Sequence, residues 1–99
     1  MEILKDKNGR TLMISPSGRL DTVSSPQLDE ELKASIGDVT ELILDLSNLE
    51  YMSSAGLRVL LSTQKTMNKQ GKMIVRNVNP TIMEIFEITG FTDILTIEN

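Results

Sequence analysis

The chain has 99 residues and a formal net charge of -4, from 14 Asp and Glu against 10 Lys and Arg, and it contains no His, no Cys and no Trp. That length suits one domain, residues 1–99, just large enough to fold without disulfides or metal. Without His or Cys there is no Ser-His-Asp triad, thiolate nucleophile, imidazole base or zinc site of the usual ligands, so the sequence reads as a non-enzyme that needs no cofactor.

Ile3 and Leu4, the turn dipeptide Asn8-Gly9, then Leu12, Met13 and Ile14 predict two short strands joined as a hairpin, closed off by Ser15-Pro16-Ser17-Gly18. Ser25-Pro26 has the form of an N-cap followed by proline at the first helical position. Leu28, Leu32 and Ile36 then recur at helical spacing until Gly37 offers a stop. Residues 41–46 set Leu42, Ile43 and Leu44 side by side, as in a strand covered on both faces. A longer helix over 54–71 carries Leu57, Leu60, Leu61 and Met67 on one stripe. Residues 72–78 form another β-type run. Asn79-Pro80 opens a third helix, with Ile82, Met83, Ile85 and Phe86 as its apolar face and Gly90 as its stop, and 94–97 is a short last strand. Strands separated by helices need crossover connections. The order therefore predicts an α/β fold, with a mostly parallel sheet of four to five strands, an N-terminal β-hairpin and three to four helices packed on it.

The opening MEILKDKNGR lacks the apolar stretch of a secretory signal, and no run approaches the roughly 18 apolar residues of a membrane span; a cytoplasmic location without membrane insertion is expected. Charge is segregated along the chain: +2 over residues 1–20 (four bases, two acids), -7 over 21–50 (eight acids, one base), +5 over 51–83 with no acid, and -4 over 84–99. Arg58, Lys65 and Lys69 fall at i, i+7 and i+11, on the helix face opposite the leucine stripe. Such a row is either a solvated face or a docking surface for an acidic partner or phosphate groups. Direct nucleic-acid binding is not expected of a chain with pI near 4.7 and only one Tyr and two Phe for stacking.

The most informative stretch is LDLSNLEYMSSAGLRVLL, residues 44–61. It runs from a buried strand through a polar connector to Ser53-Ser54-Ala55-Gly56 at a helix N-terminus. The free N–H groups there favour a capping serine oxygen or a negative charge, and capping is the first reading of a serine in this place. A phosphate would also be tolerated, with Arg58 one turn on, while repelling a partner that docks through apolar or acidic groups.

Three segments carry a family resemblance that covers the whole chain: Gly18-Arg19-Leu20-Asp21 after the hairpin, Leu44-Asp45-Leu46-Ser47 on the central strand, and Tyr51-Met52-Ser53-Ser54-Ala55-Gly56-Leu57 at the strand-helix junction. With them the sequence resembles STAS domain proteins of the anti-sigma factor antagonist class. The resemblance implies an unphosphorylated protein that binds an anti-sigma factor of the serine-kinase type and so releases a sigma factor. Phosphorylation would break that complex and a metal-dependent serine phosphatase would restore it. The phosphoacceptor pattern of the class lays its serine on Ser54, with Ser53 as the alternative, and matches Gly56 and Leu57. The residue before the acceptor is Asp in many phosphorylated members and Ser53 here. The expected partner-binding residues are Asp21, Ser54, Gly56 and Leu57 by resemblance and Ser53 and Arg58 by charge. Asp21 is otherwise a polar turn residue ahead of a helix.

The same residues allow two other readings. A STAS-type interaction subunit of a membrane transport or other signalling complex would have the fold without the phosphoswitch. An enzyme would need an activated serine, yet Asp45 and Glu50 are the nearest carboxylates, no base or metal cluster accompanies them, and no glycine-rich phosphate loop is present.

Overall fold

The computed structural model describes residues 1–98. In chain order the elements are β1 (Ile3–Asn8), β2 (Thr11–Pro16), β3 (Gly18–Leu20), α1 (Ser25–Ser35), β4 (Glu41–Asp45), β5 (Leu49–Met52), α2 (Ser54–Gln70), β6 (Lys72–Arg76), α3 (Pro80–Thr89), a 3-10 turn (Phe91–Asp93) and β7 (Ile97–Glu98). Five strands form the main sheet in the order β1-β2-β4-β6-β7, and β3 and β5 form a separate two-stranded sheet. Among the described residues only the β1-β2 pair is antiparallel. Its register, Asn8 opposite Thr11, leaves Gly9-Arg10 as a two-residue turn. Gly9 takes φ 65 at the first central position, the geometry that glycine meets without steric cost.

The parallel strands step in one direction across the sheet, from β2 to β4 to β6 to β7. Right-handed crossovers at every step keep the helices on one side. Leu12, Ile14, Leu42, Leu44, Met73 and Val75 accordingly share a single core with Leu28 and Leu32 of α1, Leu57, Leu60 and Met67 of α2, and Ile82 and Phe86 of α3. This corrects the expectation that residues 41–46 are covered on both faces. Leu42 and Leu44 are buried, but Ile43 points to the other side and is half-exposed, in the same row as Met13. Polar pairs occupy that side: Glu41 with Lys72 at 3.0 Å, and Asp45 with Asn77 at 3.1 Å.

Both helix starts marked by proline are present, one shifted. Asn79 caps α3 as expected, its Oδ1 accepting the Ile82 N–H at 2.8 Å, and Gly90 ends it at φ 80. At α1 the cap position is Ser24, and Ser25 is already helical. The chain begins to wind earlier, with the Ser25 N–H donating to Asp21 O at 2.8 Å. α1 stops where expected, with Ile36 as its cap residue and Gly37 directly after it. The last strand starts later than its apolar pattern implies. Ile94 donates to Phe91 O at 3.0 Å and continues the 3-10 turn, Leu95 is buried in the core, and contact with β6 begins at Thr96, whose carbonyl accepts the Val75 N–H at 2.8 Å, before the paired Ile97–Glu98. Leu61, assigned to the buried stripe of α2, is half-exposed, and Val59, Thr63 and Gln64 are buried instead.

Candidate partner-binding site

The two-stranded sheet was not expected, and it builds the site. Leu20 of β3 and Met52 of β5 are register partners with side chains in the core, and the Ser53 N–H donates to Leu20 O at 2.8 Å. The chain segments leaving this pair, Asp21 from one strand and Ser53 from the other, therefore start side by side. Arg19 and Tyr51 are also register partners, and the Arg19 guanidinium lies 4.4 Å from the Tyr51 ring centre, a cation–π contact on the outer side of the small sheet.

Asp21 organises the loop into α1. Its Oδ1 accepts the N–H groups of Val23 and Ser24, each at 3.0 Å. The Ser24 hydroxyl donates to Arg19 O at 2.6 Å, accepts the Asp21 N–H at 3.0 Å and lies 3.1 Å from the carboxylate. The Ser24 N–H holds the Asp21 carboxyl below its ordinary range, against the opposing effect of burial and with help from the Ser24 hydroxyl, the Val23 N–H and Arg19. Asp21 is thus a turn-forming residue. The loop it shapes presents Val23, an apolar side chain that is 88% exposed. Sequence reasoning missed Val23. Its only signal was an apolar residue outside the helical period, two positions after Asp21.

The serine pair divides into two unlike hydroxyls. Ser53 is the N-cap residue of α2 by backbone, with φ -91 and ψ 178, and its carbonyl accepts the Leu57 N–H at 3.1 Å. Its side chain does not cap: Ser53 Oγ is buried and has no hydrogen-bond partner among the described residues. This corrects the capping expectation for the hydroxyl. Ser54, the first helical residue, is exposed. Arg58, four residues on, is exposed as well.

Gly56 and Leu57 serve the packing beneath. A Cβ added at Gly56 would lie 2.8 Å from Leu20 Cδ2 and from Met52 Cγ, so glycine lets α2 approach the small sheet. Leu57 is 7% exposed and belongs to the core. Asp45 is engaged elsewhere: burial raises its pKa, but the Ser47 N–H and the Asn77 amide outweigh this and hold the carboxyl low. No base is hydrogen-bonded to Ser54, and among the described residues no cluster of three or more carboxylates could hold a metal ion. A cavity of about 430 Å³ lies at the other end of the helices, lined by residues that include Lys5, Lys7, Ser35 and Asp38. No helix among the described residues is long and apolar enough to cross a membrane.

The family model for the STAS domain matches residues 2–99. The chain belongs to the STAS domain family. Among its STAS relatives, the anti-sigma-B factor antagonist of Bacillus subtilis is 32% identical over 92 residues, which cover 92% of this chain and 84% of the relative. An anti-sigma factor antagonist from Mycobacterium paratuberculosis superposes with a TM-score of 0.88 at 26% identity, covering 97% of this chain and 83% of that one. The Bacillus cell fate determinant SpoIIAA, solved in its phosphorylated form, has the same STAS fold, with a TM-score of 0.76 at 24% identity over 99% of this chain and 92% of that one.

Proposed function

We propose that this STAS protein is an anti-sigma factor antagonist, acting in the cytoplasm as a binding protein without catalytic activity of its own. The observation that carries the reading is the exposed Ser54 at the start of α2, beside the loop that Asp21 shapes, in a chain whose relatives include anti-sigma-B factor antagonists. In the unphosphorylated state the β3-α1 loop, with Val23, and the first turns of α2, with Ser54 and Arg58, form the face that binds an anti-sigma factor of the serine-kinase type and so frees a sigma factor. The kinase transfers the γ-phosphoryl group of ATP to Ser54 Oγ, with loss of the hydroxyl proton and release of ADP. The added charge of about -1.5 to -2 breaks the complex, and a serine phosphatase restores the hydroxyl by hydrolysis. Ser53, with its occluded oxygen, is the poorer acceptor. Asp21, Gly56 and Leu57 act through shape: the first forms the loop, and the other two seat α2 against β3 and β5.

The test is incubation with the host's anti-sigma kinase and ATP followed by intact-mass measurement. One added phosphate is expected, absent in Ser54→Ala and retained in Ser53→Ala. The reverse pattern would move the site to Ser53, and no modification of the wild-type chain would remove the phosphoswitch.

A further inference from the structure

Five basic side chains are ion-paired: Lys5 with Glu31, Lys7 with Asp38, Lys33 with Asp29, Lys72 with Glu41, and Arg76 with Glu98. Arg58, Lys65 and Lys69 are exposed and have no such partner among the described residues. Arg10, in the hairpin turn beside Asp38, and Arg19, over the Tyr51 ring, make no such ion pair either but lie on other elements. At about 100° per residue the three cations of α2 fall within roughly 40° of arc, and Ser54 lies about 40° to one side of Arg58. The row from Ser54 to Lys69 is about 22 Å long at 1.5 Å per residue. No Asp or Glu occurs between residues 51 and 83, so α2 supplies no carboxylate three or four positions away to neutralise it.

This basic row lies on a chain of net charge -4, next to α1, which packs on α2 and carries Asp29, Glu30 and Glu31. An extended polyanion such as RNA or an anionic membrane would meet those acids as well as the row. A short acidic protein segment, about as long as one helix, matches the row alone. The row also begins at Ser54, so it continues the proposed partner-binding face.

We propose that the exposed face of α2 is a docking strip for an acidic segment of the anti-sigma partner, and that Arg58 is shared between that segment and a phosphate on Ser54. The partner's identity rests on the proposed function. The strip itself is a property of this chain. Phosphoserine at 54 and Arg58 stand at the i,i+4 spacing that brings helix side chains into contact. The phosphate thus takes the cation at the head of the strip while repelling the incoming carboxylates.

The experiment uses the isotopically labelled full chain, with serine or translationally incorporated phosphoserine at position 54, titrated with an oligoglutamate peptide and followed by NMR. In the serine form, shift changes concentrate on Arg58, Lys65 and Lys69 and disappear on raising salt from about 50 to about 500 mM. In the phosphoserine form, affinity falls at least about threefold and the response of Arg58 is lost while those of Lys65 and Lys69 remain. The Lys65→Glu, Lys69→Glu double variant, altered at exposed positions, loses peptide binding in the serine form. The proposal is overturned if the changes spread evenly over Lys5, Lys33 and Lys72, if phosphate leaves the affinity unchanged, or if phosphatidylglycerol vesicles or single-stranded RNA bind the same row more tightly than the peptide. Because the peptide replaces the cellular partner, this result is independent of whether the protein captures an anti-sigma factor.

Discussion

Ser53 and Ser54 are adjacent and chemically identical, and the fold separates their roles by solvent access. A capping serine changed to Ala costs about 1 kcal/mol. Ser53 makes no cap bond and buries an unpartnered oxygen, so Ser53→Ala is expected to be neutral or to stabilise by up to about 1 kcal/mol. Urea unfolding reads the sign directly, and a clear loss would mean that the hydroxyl caps in solution. Gly56 gives the opposite expectation. Its Cβ space is taken by Leu20 and Met52, both buried, so Gly56→Ala should destabilise by about 1–3 kcal/mol through overpacking, measured as a lower urea midpoint. Val23 touches no core residue cluster and is open to solvent, so Val23→Asp should leave the melting temperature within about 2 °C and weaken partner binding at least about tenfold. Equal affinity for wild type and Val23→Asp would take this side chain out of the interface.

At the level of elements, what was legible in the sequence follows from segment length. The apolar periods of α1 and α2 and the cap and stop of α3 span ten residues or more, and the structure has helices in all three places. Strands β3 and β5, with three and four residues, are too short to show a period. Their pairing goes with burial of Leu20, Leu49 and Met52 in the core. The site depends on these two strands, so the sequence motif located Ser54 and Asp21 without showing what joins them. Long-range bonds were equally invisible. Gln70, at the end of α2, donates to Ile36 O and Val39 O, both at 2.6 Å, and ties α2 to the segment that follows α1. Gln70→Ala leaves two carbonyls without this donor and should cost about 1–3 kcal/mol, or several degrees in melting temperature. A loss of less than about 0.5 kcal/mol would show that water replaces the amide.

For the whole molecule, one-directional stepping of the parallel strands puts all three helices over one face of the sheet and leaves the loop of Asp21 and the head of α2 together at one end. The charge behaviour is set by carboxylates. Lys7 holds Asp38 low and Lys72 holds Glu41 low; Asp21 and Asp45 are lowered by their N–H donors. A depressed folded-state pKa contributes stability above the unfolded carboxylate range that is lost as pH falls through the folded value. With no His to titrate, the melting temperature should stay nearly flat from about pH 5.5 to 7.5 and fall steadily below about pH 4.5. A drop between pH 7 and 6 would contradict this assignment. The net charge of -4 hides opposed blocks, and a phosphate on Ser54 would fall where the basic block begins. The most direct test of that central claim is the affinity of the host's anti-sigma kinase for this protein with serine and with phosphoserine at position 54. Tight binding of the serine form and a loss of at least about a hundredfold on phosphorylation are predicted. Equal affinity of the two forms would contradict it.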